Sequence, residues 1–138
     1  MSKIRMVAAA LGVLGAAMVS AADRPDLGQR EYQSNCAVCH GASGRGDGPY
    51  VGVLDARVPV LTDLSRRNGG VFPFARVYEV IDGSAVLKAH GTREMPIWGS
   101  VYKVKAAEHY VDMPYDPEVF VRARILALID YLYSLQQK

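Results

Sequence analysis

The sequence predicts an all-α domain, a few helices and long loops wrapped around one covalently held group. Three observations lead there. Segments near both ends carry helix caps in register with apolar spacing. No stretch alternates polar and apolar residues for more than a few positions. The pentapeptide Cys36-Ala37-Val38-Cys39-His40 contains the chain's 2 cysteines. Two thiols three apart, with a histidine directly after the second, form the pattern of covalent c-type haem attachment. Each thiol can add to one vinyl group, and the short loop holds both sulfurs over one porphyrin edge. His40 then lies under the iron and offers an imidazole nitrogen as axial ligand. A redox dithiol has no need of that histidine, and a zinc site needs more thiols or a second close histidine.

The chain opens as a secretory precursor. Lys3 and Arg5 precede an uncharged run from Met6 to Val19, and Ser20-Ala21-Ala22 supplies small residues for cleavage. Cleavage after Ala21 is equally legal by residue size. A retained anchor is the competing reading, since the uncharged run from Met6 to Ala22 touches the lower limit for spanning a bilayer. That run is mostly alanine with Gly12 and Gly15, so it is weakly hydrophobic. Residues 1–22 are therefore expected to be a cleaved signal peptide and 23–138 a single domain, exported to the periplasm. Haem attachment consumes both thiols, which agrees with export. The chain carries 16 basic and 14 acidic residues. Loss of Lys3 and Arg5 with the signal makes them equal, so charge points to no nucleic-acid partner. A domain this small has a modest core, and a buried haem would supply much of its apolar centre.

The first helix is expected from Asp26 as N-cap, with Gln29 at the capping-box position, to about Asn35, delivering Cys36. Gly28 and Tyr32 share a face. Glycine weakens a helix interior, so its presence there predicts close contact with another helix. Gly41 to Gly70 reads as loop. The run Gly41-Ala42-Ser43-Gly44-Arg45-Gly46-Asp47-Gly48-Pro49 has the glycine density of turns and lacks the closing Gly-Lys-Ser/Thr of a phosphate loop. Pro73 to Asp82 reads as a short helix. Pro73 suits its first turn, Phe74, Val77, Tyr78 and Ile81 form an apolar stripe, and Gly83 can end it. The last helix starts at Asp116-Pro117-Glu118, with Phe120, Ala123, Leu128, Tyr131, Leu132 and Leu135 at helical spacing to about Gln136.

Haem iron needs a sixth position. A thioether there closes the iron to small molecules and raises its potential. Met95, in Glu94-Met95-Pro96-Ile97-Trp98-Gly99, is the leading candidate. Pro96 stiffens the backbone beside it, and Trp98 can wall the haem pocket against water. Met113 repeats the Met-Pro dipeptide in a more polar setting, and His90 or His109 would give a bis-histidine haem of lower potential.

On these residues the chain resembles the class I c-type cytochromes, the small monohaem bacterial family, over roughly Asp26 to Gln136. Gly28-x-x-x-Tyr32 before the haem motif resembles the family's N-terminal Gly/aromatic helix. Leu128-Ile129-Asp130-Tyr131-Leu132 resembles its C-terminal helix, whose aromatic packs where the two cross. Gly48-Pro49 resembles the loop whose proline carbonyl accepts a hydrogen bond from the ligand histidine, which implies that Pro49 orients His40. Met95-Pro96-Ile97-Trp98-Gly99 resembles a Met-Pro-x-Trp-Gly ligand segment.

The resemblance implies a cytochrome c fold of three main helices and loops around one haem c. It also implies one-electron transfer between redox protein partners, with no catalytic residues. Membrane contact would come only through partner complexes or an uncleaved N-terminal anchor. The chain departs from the family pattern at Ser100 to Tyr115, a segment that reads as an insertion or partner-specific loop. Two rival roles stay open. One is a cytochrome subunit of a dehydrogenase, oxidase or sulfur-oxidising complex; the other is a haem peroxidase or ligand-binding sensor. Lys88, Arg93, Lys103 and Lys105, set against Glu94, suggest a basic rim that steers acidic partners.

Overall fold

The computed structural model describes residues 26–55, 57–85, 95–110 and 116–137. The expected signal peptide, His90 and Met113 lie outside the described residues. The described elements are α1 (Leu27–Asn35), α2 (Ala37–His40), a 3-10 turn (Val51–Val53), α3 (Leu64–Arg67), α4 (Phe74–Asp82), α5 (Trp98–His109) and α6 (Pro117–Ser134). No strand occurs among the described residues. The architecture is all-helical, as the missing strand alternation predicts.

The longest helix, α6, starts as its sequence requires. The Asp116 carboxylate accepts a hydrogen bond from the Glu118 backbone N–H at 2.9 Å, and Pro117 occupies the first turn, where no N–H is needed. Its buried row is Val121, Ile125, Leu128, Ile129 and Leu132. This corrects the expected stripe in its first half, where Ala123 is exposed and Phe120 only half-buried. The 4-3-4 spacing from Val121 to Ile125, Leu128 and Leu132 puts those four on one face, and Phe120 points instead towards Arg124, whose guanidinium lies 4.6 Å from its ring.

At the chain's other end, α1 is capped by Asp26, whose carboxylate accepts from the Gln29 N–H at 2.7 Å. It lies across α6 with Gly28 at the crossing. A methyl group added at Gly28 would run into the Ala127 carbonyl and come within 3.0 Å of the Tyr131 Cβ. One turn along, the rings of Tyr32 and Tyr131 sit 5.2 Å apart. A partly buried ion pair spans the same contact, because Arg124 of α6 reaches the buried Glu31 of α1. The other carboxylate oxygen of Glu31 accepts from the Asn35 amide at 2.9 Å.

α4 closes the core from another side through Val77 and Ile81, and Gly83 ends it in the left-handed conformation at φ 94°. Phe74, expected in its apolar stripe, is half exposed. The larger correction is α5. Of the segment Ser100 to Tyr115, residues up to His109 form a fourth sizeable helix rather than a loop, and residues 111–115 lie outside the described residues; the helix packs on α6, with Tyr102 and Ala106 fully buried. Lys103 and Glu118 pair across the same two helices at 2.6 Å. Trp98, Tyr102 and Ala106 recur at four-residue spacing, which is the helix signal. It was masked because Val101 and Val104 place apolar residues on other faces, with Val104 well exposed.

Two stability predictions follow from the α1–α6 contact. Gly28→Val meets backbone rather than a yielding side chain, so it should cost about 3 kcal/mol, the upper part of the usual overpacking range, despite valine's better helix propensity. Chemical denaturation reads this directly, and an unchanged midpoint would show that the helices do not approach at Gly28. Arg124→Met leaves the Glu31 carboxylate buried without its cation. It should cost about 2–4 kcal/mol, discounted because Arg124 retains some exposure. The double variant Glu31→Leu, Arg124→Met should recover much of that loss.

Candidate haem-attachment site

α1 runs directly into the attachment turn. The Cys36 N–H donates to the Tyr32 carbonyl at 2.8 Å, and the His40 N–H donates back to the Cys36 carbonyl at 2.8 Å. One helical turn therefore carries Cys36, Cys39 and His40. Both cysteines are half-buried free thiols, and His40 is buried. Tyr32, fully buried, donates its hydroxyl to the Gly41 carbonyl at 2.7 Å, so the first residue after His40 is held by α1 itself.

The glycine-rich run then folds back along the turn it follows. N–H groups of Gly46, Gly48 and Tyr50 donate in order to the carbonyls of His40, Cys39 and Val38 at 2.8, 3.1 and 3.1 Å. The two backbones approach so closely that a methyl group at Gly48 would lie 2.6 Å from the Cys39 carbonyl. The glycine density therefore serves a close backbone approach as well as turns.

The His40 ring is fixed by Pro59, not by Pro49. His40 Nδ1 lies 3.1 Å from the Pro59 carbonyl oxygen. With Nδ1–H donating to that oxygen, Nε2 keeps its lone pair for a metal. Pro49 is exposed, because the Gly48 and Tyr50 bonds carry it along the outside of the turn. The 58–60 segment instead lies against Gly46, where an added methyl group would sit 2.8 Å from the Val58 carbonyl. No local sequence signal separates the two prolines, since both follow a small or branched residue in loop.

The Pro59 segment is itself anchored. The Leu61 N–H donates to the Gly44 carbonyl at 2.7 Å, and the Gln136 side-chain amide donates to the Leu61 carbonyl at 2.8 Å. Gln136 also accepts from the Ser65 N–H at 3.0 Å, and the Gln137 N–H donates to the Thr62 carbonyl at 2.8 Å. The end of the chain thus holds the loop that orients His40, a role that no spacing rule reveals.

Protonation fits ligation. Burial pulls the His40 pKa below its usual value, with the Pro59 bond working against it, which favours the neutral, ligating imidazole. Burial and then the neighbouring Cys39 push the Cys36 thiol up to about 12. A dithiol oxidoreductase needs a lowered thiol pKa for attack, so this environment argues against that use of the pair.

Met95 packs half-buried against the main core, and Trp98 does the same from the first position of α5. The segment between them is pinned to the end of α4. Ile97 lies on Gly83, and a methyl group at Gly99 would sit 2.7 Å from the Asp82 carbonyl. His109 is exposed and stacks edge-on against Tyr110 at 4.8 Å, as a surface histidine does. Of the expected basic rim, Lys88, Arg93 and Glu94 lie outside the described residues. Lys103 pairs with Glu118, and the Lys105 ammonium lies 5.9 Å from the Tyr102 ring centre.

Among the described residues, the buried hydroxyl on α5 has no hydrogen-bond partner. The Tyr102 hydroxyl is buried and makes no hydrogen bond, in a residue with 0% exposure. A buried hydroxyl without a partner fits a site completed by a group that arrives from outside the chain. Tyr102 was not among the residues singled out from sequence, because the helix that carries it was not recognised.

Among the described residues no helix is long and apolar enough to cross a membrane. A search of curated proteins and a search of solved structures each found no match. The family model for cytochrome c matches residues 25–136. That span takes in the attachment turn, Pro59, Met95 and the whole of α6, and the chain accordingly belongs to the cytochrome c family, whose members carry electrons on a covalently bound haem c.

Proposed function

We propose that the chain is an exported, periplasmic carrier of single electrons on one His/Met-ligated haem c. The observation that carries this reading is the His40 ring, buried on the same turn as Cys36 and Cys39 with its Nδ1 committed to Pro59. When bound, the haem supplies the one-electron ferric/ferrous couple. Cys36 and Cys39 would hold it through thioethers, and His40, with Nδ1 on the Pro59 carbonyl, would offer Nε2 to the iron. The Met95 sulfur would be the other iron ligand, and Trp98, half-buried beside it, would help keep water out. His40 on α2 and Met95 beside a segment pinned to α4 are set on fixed backbone, which would suit transfer with little rearrangement. The Ala-rich leader read from the sequence supports export. The same residue roles would serve a cytochrome subunit of a larger redox complex, which size exclusion of a native extract would show as co-elution with its partner.

The attachment is tested on a denaturing gel. Wild-type protein should retain haem stain after acid-acetone treatment, and Cys36→Ser with Cys39→Ser should abolish it. The distal ligand is tested by the weak near-infrared band of the ferric sulfur–iron bond. Met95→Ala should remove that band and Met113→Ala should leave it. The opposite pattern would transfer the ligand role to Met113 and leave the fold intact.

A further inference from the structure

We propose that the exposed face of α6 is an interface for a second copy of this chain, paired antiparallel about Leu126. The neighbouring helices leave this face uncovered. α1 crosses α6 at Ala127 and Tyr131, and the row Val121, Ile125, Leu128 and Leu132 faces the core. On the remaining face Val119, Leu126 and Tyr133 are 64%, 40% and 61% exposed. They stand seven residues apart, so they form one stripe along about 21 Å of helix. The stripe continues sideways into an open groove of about 420 Å³ lined by Phe72, Phe74, Ile129 and Tyr133. Phe72 backs the Tyr133 ring there, edge-on at 5.5 Å. Single exposed apolar residues are ordinary, whereas a contiguous patch with a firm floor marks an interaction site.

Charge placement identifies the occupant. Arg122 and Asp130, both exposed, lie four residues to either side of Leu126, and Val119 and Tyr133 lie seven to either side. Eight residues of helix separate the two charges by about 12 Å, too far for them to pair with each other in one copy. Among the described residues neither has an ion-pair partner elsewhere in the chain. A two-fold axis through Leu126 sets a second α6 antiparallel on the first. Arg122 of each copy then comes to the height of Asp130 of the other, and Val119 comes over Tyr133 beside the groove. The two Leu126 side chains meet at the axis. The face is thus complementary to itself, as an isologous interface must be. A partner of uniform charge would instead meet one residue of the wrong sign. None of these residues belongs to the attachment site, so the inference goes beyond the proposed function and stands independently of it.

The test is sedimentation velocity on the haem-loaded protein over a concentration series up to about 1 mM, a range that reaches weak association. Wild type should form a reversible dimer that added salt weakens. Leu126→Lys puts like charges at the axis and should leave a monomer. Arg122→Asp and Asp130→Arg, each alone, should weaken the dimer by on the order of tenfold, since each turns two attractive pairs into repulsive ones. An equal mixture of these two variants should dimerise again, as should the chain that carries both changes. Haem stain, visible spectrum and melting temperature should stay those of wild type throughout, because every substituted side chain is exposed. Those readouts separate a failed interface from a failed haem reading. A wild type that stays monomeric across the series, a dimer indifferent to Leu126→Lys, or a charge swap that does not restore association overturns the inference.

Discussion

The close approach of α1 to α6 at Gly28 is the constraint on which the remaining geometry depends. Only a residue without a side chain lets α1 meet the Ala127 carbonyl, and that contact sets the height of every later residue of α1. Tyr32 stands one turn on from the crossing, between Tyr131 and the Gly41 carbonyl. The helix crossing is thus coupled by one side chain to the backbone just after His40. A second tie, the Glu31–Arg124 pair with Asn35, resists rotation of α1 about the same contact. Burying an ion pair adds little net stability, but its directionality suits a joint whose angle matters.

His40 is consequently held from two independent parts of the chain. From behind, α1 and the glycine run grip its backbone through Tyr32 and Gly46. At the ring, the Pro59 carbonyl sets the tautomer, and Gln136 and Gln137 at the end of the chain anchor that segment. One grip leads back to α1 through Tyr32, and the other to the glutamines just beyond α6. An error in the crossing would therefore displace the ring and its backbone together, which keeps Nε2 aimed correctly over small motions.

What was legible in the sequence divides along the range of the interactions. Local signals were readable: the Asp26 and Asp116 caps, the stop at Gly83, the glycine that demands a close helix contact, and the Cys36/Cys39/His40 turn. Each depends on residues within about one turn of one another, or on a single residue whose cost needs a reason. Pro59 was not readable. Its partner lies 19 residues away, and the choice over Pro49 follows from three backbone hydrogen bonds that carry no side-chain signature. The helix α5 is hidden for a different reason, since its buried residues are only Gly99, Tyr102 and Ala106, with Trp98 half-buried, and its other faces mix valine with lysine. The phase error in α6 is of the same kind, because apolar residues occur on both sides of the true row.

α5 also explains an imbalance in the core. The buried cluster unites Tyr32, Tyr102 and the aliphatic row of α6, with Cys36, Met95 and Trp98 packed around it. Aliphatic residues there satisfy one another by contact, and Tyr32 has Gly41. Tyr102 alone among these fully buried residues keeps a polar atom with no protein partner. Cores of soluble domains rarely carry such atoms, because replacement by phenylalanine removes the cost at almost no change in volume. That hydroxyl stands on α5, whose mixed outer faces hide the helix from a reading of the sequence.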